Sequence, residues 1–272
     1  MDDRFRRVAC LVDNMPAELA ADGPWIVVAT APATSAGGSS RPVAQTGDDL
    51  QFWVRRQVAV WPAPIPIGVD QPQLRSGGVT FASAHLTAGP AAGPASGPAV
   101  RYHCALEADG SSLFALAAGA LRDSPGDGAQ VWALGEGALA WLTVATLRLA
   151  AAYAEYAGAP GHAVVQLSIA SYGPGGGAVP YEVWNHGDHG YAPAGRRLAR
   201  VEPARRPVDL AACLSADLTK VSRAFVVEVL RQFGLAGSRH FTPTGALRCR
   251  NFTGYDERIR GWAEAIGVPF EL

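Results

Sequence analysis

The chain has 272 residues, 49% of them apolar and 17% charged, which excludes a disordered chain and allows one large domain or two modest ones. Its net charge of −1 hides an asymmetry: residues 1–195 hold 10 basic and 16 acidic side chains, and residues 196–272 hold 13 basic and 8 acidic. Only one of the 23 basic residues, Lys220, is a lysine, and four scattered cysteines without a C-x-x-C pair argue against a zinc ribbon or a disulfide scaffold.

Along the chain, "DDRFRRVACLVDNMPAELAA" (2–21) spaces Phe5, Val8, Leu11, Val12 and Met15 as a helix does. The opening "MDDRFRRVACLVDNM" has no apolar h-region, so no secretory signal is expected. "PWIVVATAP" (24–32) reads as a buried strand, "DDLQFWVRRQVAVW" (48–61) as a helix capped by Asp48, and "GGVTFASAH" (77–85) as a strand. "TAGPAAGPASGPA" (87–99) is too poor in apolar surface to order itself and predicts a loop or linker. The expected division is therefore a helix/strand subdomain over 1–86, the linker, and an α+β domain with a basic C-terminal segment over 100–272.

After the linker, "VRYHCALEADGSSLFALAAG" (100–119) places two apolar runs around Asp109-Gly110, a hairpin signal. Beyond "SPGDG" a long helix is expected from about Glu136 to Ala157. Its stretch "GALAWLTVATLRLAAAYAEYAG" carries Arg148 and Glu155 and so predicts a buried helix rather than a membrane span. "HAVVQLSIAS", "AVPYEVWN" and "YAPAGRRLARVEP" predict three strands. "SADLTKVSRAFVVEVLRQFGL" (215–235) predicts an amphipathic helix with Ser215 as N-cap and Gly234 at its end. "RHFTPTGALRCRNF" predicts a small hairpin about Thr244-Gly245, and "DERIRGWAEAIGV" (256–268) a short final helix. The order predicts an α+β fold: a mainly antiparallel sheet with a long central helix and a second amphipathic helix packed on one face. The expected location is cytoplasmic, with no membrane partner.

Several chemistries are excluded by motif. The only lysine sits in "LTKVS", so no Walker A loop and no protein-kinase set exist. No G-x-S-x-G elbow, H-E-x-x-H or zinc-deaminase signature is present, and "GPGGG" (173–177) lacks the following helix of a dinucleotide fingerprint. The densest chemical signal is "YEVWNHGDHGY" (181–191). His186, Asp188 and His189 could hold a divalent metal only if a tight turn brought both ring nitrogens within about 2.0–2.1 Å of one ion. The other reading is a hairpin turn with solvated histidines. His103 and Cys104 would face opposite ways in a strand, which favours a core cysteine over a nucleophile. Arg196, Arg197, Arg200, Arg205 and Arg206, with Arg248 and Arg250, form the basic candidates for phosphate contact; the alternative for the first five is protection of a sheet edge.

With those elements in order, the chain resembles the C-terminal region, outside the AlbA-type domain, of actinobacterial Schlafen/AlbA-type DNA- or ATP-binding proteins. The resemblance is carried by "DRFRR", "PWIVVATAP", "DGSSLFALAAG", the long helix, "VWNHGDHGY…RRLARVEP" and "VVEVLRQFGL". It implies an accessory sensing or scaffold region, and because the AlbA-type domain itself is lacking, no catalytic residue is carried over. The expectation is a non-enzymatic domain that binds a nucleic acid, a protein partner or a ligand, without a resident cofactor. The alternatives are a metal-dependent hydrolase centred on His186, Asp188 and His189, and a structural subunit that forms a homo-oligomer.

Overall fold

The computed structural model describes residues 3–15, 24–33, 47–58, 72–75, 77–82, 102–170, 179–187 and 190–272. The 87–99 stretch, Asp188 and His189 lie outside the described residues.

The fold is α+β, as the element order predicts. Its main sheet has seven strands: β1 (Trp25–Pro32), β2 (Gln73–Arg75), β3 (Gly78–Ala82), β4 (Tyr102–Glu107), β5 (Ser112–Ala117), β8 (His162–Ala170) and β11 (Ala204–Asp209). They run in the order β11-β8-β1-β5-β4-β3-β2, and every neighbouring pair is antiparallel. β1 is buried along its whole length because it lies between β8 and β5, with Val28 opposite both Leu167 and Phe114. The strands on either side of the 87–99 stretch thus share one sheet. β4 and β5 meet at Asp109-Gly110, where Gly110 has φ +83 and Asp109 Oδ1 accepts from the Ser111 amide at 2.9 Å.

Alternation along β1 divides its side chains between two cores. Trp25, Val27, Ala29 and Ala31 meet Val8 and Phe5 of α1 (Asp3–Asp13), so this helix covers one face of the sheet. Arg7 ties it down through Asp109 at 3.2 Å. Ile26 and Val28 join the larger core on the other face, with Leu50 and Val54 of α2 (Gly47–Val58) and the long α3 (Glu136–Tyr156). The long helix and the second amphipathic helix do pack on one face; α1 is the helix placed opposite.

α3 is buried on most of its circumference. It is the one helix among the described residues long and apolar enough to cross a membrane, yet 72% of that apolar window is buried inside the protein. Thr143 and Thr146 satisfy their hydroxyls on the Leu139 and Leu142 carbonyls, so no polar group is orphaned on its faces there. α4 (Leu210–Cys213) and α5 (Leu218–Gln232) pack on it through Leu210, Phe225, Val226 and Val229.

A second sheet, absent from the sequence expectation, has the order β10-β9-β7-β6. It comprises β6 (Gly119–Asp123), β7 (Gln130–Gly135), β9 (Tyr181–Gly187) and β10 (Gly190–Leu198). β7 runs straight into α3, and the chain returns through β8 to lay β9 parallel to β7. β9 and β10 then pair antiparallel up to Gly187 opposite Gly190. The expected hairpin about Thr244-Gly245 contains a single bridge, Phe241 to Leu247; instead β12 (Leu247–Arg248) pairs parallel with the C-terminal β13 (Phe270–Glu271). Between them a 3-10 turn (Cys249–Asn251) leads to α6 (Asp256–Ile266), which stops at Gly267 in the left-handed region.

Candidate ligand-binding cleft

The junction of β7 and α3 reads "LGEGAL", and it positions the site. Glu136 is the first residue of α3 and only 1% exposed. A glycine stands on each side of it. A Cβ on Gly135 would lie 3.0 Å from the Tyr191 hydroxyl, and one on Gly137 would lie 3.0 Å from His240 Nε2. The two bare positions let Tyr191 and His240 close in on the start of the helix.

A buried carboxylate needs hydrogen bonds on both oxygens. Asn185 Nδ2 donates to Oε2 at 2.7 Å, from the middle of β9. Oε1 accepts from Ser238 Oγ at 2.7 Å and from the Arg239 amide at 2.6 Å, and it lies 3.2 Å from His240 Nδ1. Burial alone would push the Glu136 pKa up, but the bonds from His240, Ser238 and Asn185 outweigh it and hold the carboxyl below its ordinary value. The helix N-terminus adds a favourable dipole. On its other side, His240 Nε2 lies 3.0 Å from the Asn251 carbonyl, and Phe252 packs edge-on against the ring at 4.6 Å. Both ring nitrogens thus face oxygen atoms, which fixes the orientation of the ring. The same Asn251 side chain donates back to the Arg239 carbonyl.

In front of this network lies a cleft of about 310 Å³. Its walls are aromatic: Trp141 from α3, Trp184 and Tyr191 from the β9–β10 hairpin, and Phe252 and Tyr255 from the segment before α6. His186 and His240 add polar ring edges. Arg122 of β6 lies over the Trp184 and Tyr191 rings at 5.7 and 5.5 Å, and His186 packs on Tyr191 at 4.7 Å. Asn185 also lines the cleft; its amide nitrogen is committed to Glu136, and its Oδ1 is buried without a hydrogen-bond partner. An aromatic-walled cavity of this size with a few fixed polar groups has the ordinary form of a small-molecule site.

Of the residues singled out as a metal set, His186 is exposed at the rim of this cleft. No group of three or more metal-ligating side chains occurs among the described residues. His103 and Cys104 are both buried in β4. Burial, with a smaller contribution from Arg75, lowers the His103 pKa to about 4, and burial pushes the Cys104 thiol far up, the setting of an inert core cysteine.

The basic candidates are dispersed. Arg197 is clamped by Asp127, at 2.9 and 3.0 Å, and by the buried Glu182 at 2.8 Å. The Arg197 guanidinium, with the Ala129 amide, holds the Asp127 pKa at about 2. Arg196 donates to the Gln232 carbonyl at 2.7 Å, and Arg205 to Gln166 at 2.5 Å. Arg206 pairs with Glu228 and lies over the Phe225 ring. Arg200 pairs with Glu202 at 3.2 Å and Arg248 with Glu271 at 3.8 Å. Arg250 is exposed, with no side-chain partner among the described residues, and it immediately precedes Asn251 and Phe252 in the cleft wall.

Sequence reasoning did not find Glu136, Asn185 or His240. The signal was a lone acidic residue inside the apolar run "WALGEGALAWL" with a glycine on each side; its partners lie 49 to 104 residues away and leave no local trace. Compared with known protein families, curated proteins and solved structures, the chain matches none of them.

Proposed function

We propose that this chain is a ligand-binding α+β domain whose site is the aromatic cleft, and whose ligand is a nucleotide or a single-stranded nucleic acid that inserts a base between the aromatic walls. The carrying observation is the cleft itself: five Trp, Tyr and Phe rings beside the polar side chains of Asn185 and His240. Bases stack on such rings whatever their sequence, at roughly 1–3 kcal/mol each. Asn185 Oδ1, held in orientation by Glu136, offers an acceptor to a ring N–H. Two exposed arginines, Arg239 and Arg250, neighbour the lining residues His240 and Asn251 in sequence, and Arg239 also donates to the His186 carbonyl at 3.2 Å; arginine is suited to phosphate.

Titration of adenosine 5′-monophosphate, adenosine and a twelve-residue oligothymidylate, followed by calorimetry, tests this. Tyr255 is 47% exposed, so Tyr255→Ala removes a wall without emptying the core; it should weaken all three probes about ten-fold. Arg250→Ala should weaken the phosphate-bearing probes, flatten their salt dependence and leave adenosine unchanged. Absence of saturable binding of any probe to the wild-type chain overturns the reading.

A further inference from the structure

A second cleft, of about 450 Å³, lies on the opposite half of α3, between its C-terminal turns, α2 and the end of α4. Arg148, Ala152 and Glu155 are spaced i, i+4 and i+7, so they share one helix face. Trp53 of α2 forms the facing wall and packs on Tyr156 at 4.8 Å, with Tyr153 behind at 6.2 Å. Leu214 closes the end.

Arg148 is the anomaly here. It is half-buried, and its guanidinium has no hydrogen-bond or ion-pair partner among the described residues. Burial pulls its pKa below the ordinary arginine value, yet an arginine keeps its charge in proteins. Its nitrogens are not among the buried unsatisfied atoms, so they stay open to the cleft, where an anion can replace water on them. Arg197 and Arg206, which are also half-buried, each have an acceptor from their own chain.

We propose that this cleft binds a small aromatic monocarboxylate, its carboxylate paired with Arg148 and its ring lying against Trp53 and Tyr156. The guanidinium fork matches a carboxylate in bidentate fashion. Glu155 sets the limit on charge: it is exposed at the mouth, about 10 Å further along the helix axis, and it repels a second carboxylate at the far end of a long ligand. The site is separate from the nucleotide cleft and does not depend on it.

The probes are 2-naphthoate, its neutral isostere 2-naphthamide, and naphthalene-2,6-dicarboxylate, titrated by calorimetry into the full chain. Wild type should bind 2-naphthoate saturably and at least ten-fold more tightly than either of the others. Arg148→Met, which keeps the aliphatic stem, should abolish that preference while leaving 2-naphthamide unchanged, and Tyr255→Ala should leave all three unchanged. Equal affinity of wild type for naphthoate and naphthamide overturns the proposal, as does naphthoate binding that survives Arg148→Met or falls in Tyr255→Ala. Should Arg148→Met fail to give a cooperative melt, the wild-type preference among the three probes decides alone.

Discussion

Glu136 is a charge placed where water cannot reach it, and its four polar contacts are what make that position tolerable. Removing it leaves the His240 ring and Asn185 facing an empty pocket; removing one partner of a buried pair costs about 3–5 kcal/mol. Glu136→Ala should therefore lower the free energy of unfolding in urea by an amount in that range, and Glu136→Gln by less, since the amide can still accept from Asn185. The pH dependence has a fixed sign. The folded carboxyl has a depressed pKa, so its contribution is fully present above the unfolded value, about 4.3, and is lost as pH falls through the folded one. Acid denaturation should accordingly be shallower below pH 4 in Glu136→Gln than in wild type; identical acid limbs would show that the carboxylate contributes nothing. At this scale the sequence was least legible. A histidine at 240 and an asparagine at 185 look like solvated loop residues until the fold brings them to one carboxylate.

Elements were legible where their pattern was periodic. β1, β8, α3 and α5 are long apolar or amphipathic runs, and each appears within a few residues of expectation. The strands that escaped have physical reasons. β6 is exposed along most of its length and shows no alternation, β7 enters α3 with no turn between, and β11 reads "ARRPVD", in which an edge position tolerates the proline and the charges. β10 shows how such an element is fixed without a hydrophobic pattern. Its register breaks between Ala194 and Leu198, and Gly195 there has φ +78. The bulge turns Arg196 onto the end of α5: its amide donates to the Phe233 carbonyl at 2.7 Å, and its side chain to the Gln232 carbonyl. A cation at a helix C-terminus is favourable. A Cβ on Gly195 would lie 2.4 Å from the same Phe233 carbonyl. Gly195→Ala combines that clash with a disfavoured backbone conformation and should destabilise by about 1–3 kcal/mol, read as a fall in the urea midpoint. An unchanged midpoint would mean that β10 and α5 are not coupled.

Among the described residues, the strand buried along its whole length comes from the N-terminal third. β1 completes both cores at once: Val27 and Ala29 under α1, Ile26 and Val28 under α3. Without it, β5 and β8 would face each other across a missing strand, their inner edges unpaired and their apolar faces open to solvent, which is the condition for edge-to-edge aggregation. The sequence pattern places a flexible segment at 87–99 and so invites division there, but composition reports only what a segment cannot bury, not which strands pair across it. Residues 100–272 expressed alone should thus lack a cooperative thermal transition and bind a hydrophobic dye, and adding residues 1–86 in trans should restore part of the transition by supplying β1. A cooperative melt of 100–272 by itself, with native-like near-ultraviolet dichroism, would show instead that β5 and β8 can close on each other and that β1 is an insertion rather than the keystone of the sheet.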